Sequence, residues 1–123
     1  MTSRELATLV REAALAKKAR DVVEIDVHGR SSVTDFFIVC EGDTDRQTRA
    51  IADSIKDEAA KHGLKPFQSS GESDGAWILL DFVDVIAHVF LPGERAFYDL
   101  ESLWEAPPMV RAAAAPKRPR RTA

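Results

Sequence analysis

A glycine-serine loop, Gly29-Arg30-Ser31-Ser32, with Asp35 just beyond it, is the one stretch of this chain with the residue types of a reactive site. Loops of that type open nucleotidyl-transfer sites, where two or three carboxylates on neighbouring strands hold two magnesium ions for in-line attack. Asp35 has no second acid one or two residues away. Asp81 and Asp84 fall near a hairpin turn, where acids commonly serve local hydrogen bonding. His28, His62 and His88 are far apart in sequence and form no local ligand motif. No Walker loop, GxSxG elbow or dinucleotide fingerprint is present. Cys40 is the only cysteine. It excludes an intramolecular disulfide or a cysteine metal cluster, suits a reducing cytosol, and reads as a buried structural thiol within an apolar run. These residues predict no catalytic set, no metal and no cofactor.

The segment Gly71–Trp104 points to a different kind of chemistry. It holds Trp77, His88, Phe90, Tyr98 and Trp104 beside Asp81, Asp84 and Glu101. Large aromatics next to a few acids are what a macromolecular docking surface needs. An isolated tryptophan is more often core than interface, but Trp77 and Trp104 each lie within four residues of an acid. Tyr98 is expected to be partly exposed, with its hydroxyl outward.

Charge narrows the partner. The net charge of −3 divides into −8 for residues 1–105 and +5 for the tail, whose Arg111, Lys117, Arg118, Arg120 and Arg121 meet no acid. An acidic body disfavours direct nucleic-acid binding, which depends on phosphate neutralisation, and favours a basic protein. Ribosomal proteins are a plentiful class of those. The tail alone has the composition to touch RNA. The N-terminal segment carries acids and no apolar signal core, and no apolar run approaches the length of a membrane span, so the expected location is cytoplasmic.

The elements that must position these residues follow from periodicity. Thr2 or Ser3 can cap a helix with the apolar stripe Leu6, Leu9, Val10, Ala13 and Ala14. Val23, Ile25 and Val27 alternate with Glu24, Asp26 and His28 as a half-buried strand, and Phe36 to Cys40 reads as a central one. Thr44 and Gln47 have capping-box spacing before a second helix, with Ile51, Ile55 and Ala59 on one face and Gly63 as its stop. A short strand after Pro66, a polar loop, and a hairpin over Ala76–Leu80 and Val83–Phe90 come next. A short helix over Glu94–Trp104 closes the order. The expected fold is one α/β domain over 1–106, a mixed sheet of about five strands with helices, then a disordered basic tail over 107–123. Two such helices can cover one sheet face but not both. The side carrying Ile86, His88 and Phe90 is thus either partly open or closed by the C-terminal helix.

The residues Gly71, Trp77, Leu79, Asp81, His88, Phe90, Arg95, Tyr98, Leu100, Glu101, Leu103 and Trp104 have a spacing that resembles the ribosomal silencing factor (RsfS, or Iojap) family. Upstream, Lys18, Ala19, Asp21, Ile25, Asp26, Val27, Ser32, Asp35, Phe36, Gly42, Gln47, Ile51, Ala52 and Asp53 agree, so the match runs from about Leu6 to Trp104. Two departures stand out: Thr44 replaces the commoner serine, which caps equally well, and Val83 replaces a glycine, so the turn there is not expected to use a positive φ. The resemblance implies a nucleotidyltransferase-like fold without its catalytic acids. It also implies a protein that binds the fourteenth protein of the large ribosomal subunit, blocks small-subunit joining sterically and represses translation when nutrients are scarce. The partner-binding residues so implied are Trp77, Asp81, Asp84, His88, Phe90, Tyr98, Glu101 and Trp104. A second copy of the chain, and ribosomal RNA against the tail, are further candidate partners. The alternatives are a nucleotidyltransferase-like enzyme, active or degenerate, and a large-subunit assembly factor.

Overall fold

Thr2 starts the first helix by a reciprocal cap. Its hydroxyl accepts the Glu5 N–H at 3.1 Å, and the Glu5 carboxylate accepts the Thr2 N–H at 2.8 Å. These bonds satisfy donors that a helix start leaves open. The helix, α1, runs Ser3–Ala16. Thr44 caps the second, α2 (Asp45–Ala60), by accepting from the Gln47 backbone. Gln47 departs from the expected box: its side-chain oxygen takes the N–H of Asp43, and its amide donates to the carbonyls of Lys17 and Lys18. One side chain thus links the start of α2 to the end of α1. The chain leaves α2 through Gly63 at φ +75°, and Leu64 donates back to the Ala59 carbonyl.

The computed structural model describes residues 1–93 and the backbone of 109–111. Its strands are β1 (Arg20–Asp26), β2 (Phe36–Glu41), β3 (Gln68–Ser70), β4 (Trp77–Asp81), β5 (Val85–Phe90) and β6 (Met109–Arg111). They form one mixed sheet in the order β3-β4-β5-β2-β1-β6, with β2 and β5 parallel and the other pairs antiparallel. The continuously apolar β2 is interior, because both its faces are covered. Both helices pack on one face, where Val10, Val22, Ile38, Ile51, Ile55, Ile78, Leu80 and Val89 are fully buried.

Three expectations change, and one left open is narrowed. Strand β6 pairs with β1, Ile25 opposite Met109 and Val23 opposite Arg111, so the segment expected to be a disordered tail supplies an edge strand. Three residues are too few for periodicity to reveal a strand; the free edge of β1 selects them. Glu24, expected on a solvent-facing side of β1, is buried and paired with Arg11 at 3.1 Å. Ile86, His88 and Phe90, on the side expected to be either partly open or closed by the C-terminal helix, are buried. Lastly, Val83 does take a positive φ, +77°. The expected helix over Glu94–Trp104 lies outside the described residues.

The turn at Val83 is tightly bonded. Asp84 donates to the Phe82 carbonyl at 2.9 Å, closing a three-residue γ-turn about Val83, and Phe82 donates to the Val85 carbonyl at 2.9 Å. The Asp81 carboxylate accepts the Val83 N–H at 2.7 Å. A γ-turn with positive φ is rare and strained, more so for a β-branched residue.

Gly71 controls entry to β4. Its φ is +84°, and an added Cβ would overlap the Trp77 carbonyl. Gly71→Ala is therefore expected to lower stability by about 3 kcal/mol, combining a disfavoured φ with a backbone clash. Urea unfolding followed by circular dichroism measures it; an unchanged midpoint would show that the loop relaxes freely.

Candidate functional site

Side chains alternate along the strands, so Trp77, Leu79 and Asp81 of β4 share the face opposite the helices with Ile86, His88 and Phe90 of β5. Trp77 lies across from Phe90, and Leu79 across from His88. Phe37 and Val39 of β2 continue that face, followed by Val23 and Ile25 of β1. Val23, Ile25, Val27, Val39 and Phe90 form a second apolar cluster, with Phe37 and Trp77 packed at its margin.

The aromatic rings are arranged in register. Trp77 stacks on Phe90 with centroids 5.1 Å apart at 27°. His88 stacks on Phe90 at 6.0 Å and 7°, and Phe37 tilts against His88 at 5.6 Å. Trp77 reaches diagonally across the strand pair, and its indole N–H donates to His88 Nδ1 at 3.0 Å. That bond fixes the tautomer, since Nδ1 must be unprotonated and the remaining proton sits on Nε2. Burial pushes the His88 pKa down to about 4. The rings of Trp77 and Phe37 flank His88 and Phe90, so the outer pair is half-buried and the inner pair is withdrawn.

Trp77 is positioned by a loop clamped to α2. Thr48 donates its hydroxyl to the Gly75 carbonyl at 2.7 Å, and Arg49 reaches the Ser73 carbonyl at 3.4 Å. Lys56 pairs with Glu72, a contact that holds the lysine pKa above its ordinary value. Within the loop, Gly75 donates to Gly71 and the Asp74 carboxylate accepts the Ala76 N–H.

The acids lie elsewhere. Asp81 and Asp84 flank the turn at the far end of β4, about 13 Å along the strand from Trp77 by strand rise. Asp81 is half-buried and Asp84 exposed. The structure therefore brings together Trp77, His88 and Phe90 and separates Asp81 and Asp84 from them. Tyr98, Glu101 and Trp104 lie outside the described residues. Phe37 and Leu79 join the face although they read only as strand residues in sequence, because a continuous apolar run hides which side each residue faces. Asp35 and Asp84 do meet, at the ends of parallel strands, where the Asp35 N–H donates to the Asp84 carbonyl at 3.0 Å. Among the described residues, however, no group of three or more histidines, cysteines and acids is placed to hold a metal ion. Ser31 Oγ of the glycine-serine loop accepts the Val33 N–H in a local turn.

This is a mixed α/β domain with an ordered aromatic face, and known proteins share its fold. The family model described as ribosomal silencing factor during starvation matches residues 1–123. The chain is 37% identical over 110 residues to the ribosomal silencing factor RsfS of Bacillus subtilis, covering 89% of this chain and 93% of that one. It is 36% identical over 98 residues to the chloroplastic protein Iojap of Zea mays, covering 80% of this chain and 42% of that protein. A crystal structure of a Chromobacterium violaceum protein superposes with a TM-score of 0.83 at 35% identity, covering 95% of this chain and 98% of that one. The chain belongs to the ribosomal silencing factor family.

The buried imidazole has a consequence for stability. The folded pKa of His88, about 4, lies below the ordinary value of 6.5, so the folded state favours the neutral ring. Its contribution is complete above about pH 6.5 and is lost as pH falls toward 4. Wild type is expected to lose roughly 3 kcal/mol more across that window than His88→Gln, which has no proton to bind. Denaturant titrations at pH 7 and 4.5 measure the difference. Parallel pH profiles for the two proteins would mean that His88 titrates normally.

Proposed function

We propose that this protein represses translation by docking on the large ribosomal subunit, through its fourteenth protein, and excluding the small subunit. The observation that carries the reading is membership of the silencing factor family along the whole chain. Two physical features support it. The folded body is acidic, which suits a basic ribosomal protein. The face opposite α1 and α2 ends in a half-buried tryptophan on a clamped loop, the type of rigid aromatic anchor that dominates interface energetics. The mechanism is binding without catalysis: the bound factor occupies the joining surface, so inhibition is stoichiometric. It operates in the cytoplasm, where ribosomal subunits join. Asp81 and Asp84 act as rim charges that steer encounter, and His88 and Phe90 act from beneath by holding Trp77. Tyr98, Glu101 and Trp104 belong to the same proposed surface. The basic residues beyond β6 add a contact to neighbouring ribosomal RNA. A second copy of the chain would compete for the same face when subunits are absent.

Co-sedimentation with isolated large and small subunits tests the reading. Binding to large subunits alone is expected, with joined ribosomes falling in proportion to the factor added. Equal binding to both subunits, or inhibition far below one copy per ribosome, would sink the proposal. Trp77→Ala is expected to weaken binding roughly 30- to 700-fold, about 2–4 kcal/mol, provided that circular dichroism and melting show an intact fold. Trp77→Phe keeps the stacked ring but loses the N–H donor, and should fall between the two. A folded Trp77→Ala protein with unchanged affinity would assign Trp77 to the core.

A further inference from the structure

Three large apolar side chains are exposed at one end of the sheet: Val33 at 67%, Phe67 at 78% and Val83 at 53%. Backbone bonds bring their segments together. Phe67 donates to the Asp81 carbonyl at 2.7 Å, and Asp35 and Phe36 donate to the Asp84 carbonyl at 3.0 and 3.2 Å. Val83 sits between these attachments, in the strained γ-turn. At an exposed turn, glycine would adopt the same φ without strain, so a valine there lowers stability for no gain in the core. The acids around it make the patch selective. Asp81, Asp84 and Asp35 all lie within this bonded cluster, and the carboxylates of Asp35 and Asp84 pair with no side chain among the described residues. Arg30 and Lys65 lie at the same sheet end, so the negative character is confined to the turn itself.

We infer that Val83 is a specificity-determining contact of the docking surface, an apolar tip ringed by carboxylates that inserts into a hollow bordered by lysine or arginine on the basic ribosomal protein. This inference rests on the docking reading above. Val83 lies just past the end of β4, whose Trp77–Asp81 span is roughly 13 Å along the strand direction. An ordinary interface covers about 800 Å² per partner, a patch roughly 30 Å across, so one partner reaches both ends of β4. Trp77 supplies the aromatic anchor at one end, and the turn supplies an apolar and charged anchor at the other. The steep φ fixes the direction of the Val83 side chain before contact, so little conformational freedom is lost on binding.

The test measures stability and affinity on the same variants. Val83→Gly removes the strain and the side chain; Val83→Asn also tolerates a positive φ but presents a polar group. Both are expected to raise Tm by several degrees, while each weakens binding to large subunits roughly five- to tenfold. A purely structural residue would move stability alone. Asp84→Lys should slow association with large subunits and leave Tm near wild type. If wild type binds and Trp77→Ala weakens it while Val83→Gly binds as wild type, the assignment of Val83 is overturned and the docking reading stands. If wild type binds no large subunit, both fall.

Discussion

Two helices on a six-stranded sheet cover one face, and on the other the side chains of neighbouring strands pack against one another. Strands are about 4.8 Å apart, so the sheet is roughly 25 Å wide, whereas two adjacent helices cover about 20 Å of one side only. On the side opposite the helices, apolar side chains of neighbouring strands also have to be kept from water. The cross-strand stack of Trp77, His88, Phe90 and Phe37 meets this requirement, since flat rings on neighbouring strands exclude water over a large area. Histidine in the centre serves a second purpose. A tryptophan in that stack buries an N–H, and an unpaired buried donor costs about 1–3 kcal/mol. Phenylalanine at position 88 would pack as well and leave the indole unsatisfied. The neutral imidazole supplies the acceptor at 3.0 Å and keeps a flat ring in the stack.

The helix side solves a different problem with charge. Strand β1 lies near the edge of the sheet, where α1 covers it through long charged side chains as well as apolar ones. Arg11 pairs with buried Glu24, and Arg4 spans Glu24 and Asp26 while its guanidinium lies 5.1 Å from the Phe36 ring. The arginine stems shield apolar surface while their heads hold the acids. Removing Arg11 alone would leave a buried carboxylate short of its closest partner, which costs more than the intact pair contributes. The same economy joins α1 to α2, where Ser54 donates to the Ala13 carbonyl and Gln47 to Lys17 and Lys18. Polar groups at the helix crossing are satisfied across the interface, so neither helix can shift without leaving one unpaired.

Most of this architecture was readable from residue order. Capping at Thr2 and Thr44, the interior position of Phe36–Cys40, the stop at Gly63 and the hairpin around Val83 follow from local rules, because each depends on neighbours in sequence. What escaped depends on contacts across the fold. Glu24 looked like a solvent-facing residue because alternation cannot show that Arg11, thirteen residues earlier, folds over it. Met109–Arg111 became a strand because β1 presented an unpaired edge. Val83 lay in a turn whose geometry is set by Asp81 and by the bonds from β2 to Asp84, which override the usual preference of a β-branched residue. For the candidate site, the residue types were legible and the grouping was not. Trp77, His88 and Phe90 cluster through strand register, while the acids that precede and follow the turn are carried to the other end.

Under the proposed docking role, a factor that occupies a surface must resist being deformed when a competing subunit arrives, and the contacts around β4 favour such resistance. The strand is held at its start by the Gly71–Ala76 loop, bonded to α2 through Thr48, Arg49 and Lys56, and at its finish by a turn bonded to the start of β2. It pairs with β5 along its whole length and with β3 over Leu79–Asp81. If β4 carries the proposed docking surface, these contacts are already formed before binding, so little interaction energy would go into ordering it. The same arrangement explains why the strained turn persists. A γ-turn at valine would relax if either neighbour were free, but Asp81 lies in a paired strand and the Asp84 carbonyl takes the N–H groups of Asp35 and Phe36 at the start of β2. The strain is held by bonds on both sides, which is the condition under which a side chain can be fixed in a direction that its own backbone preference opposes.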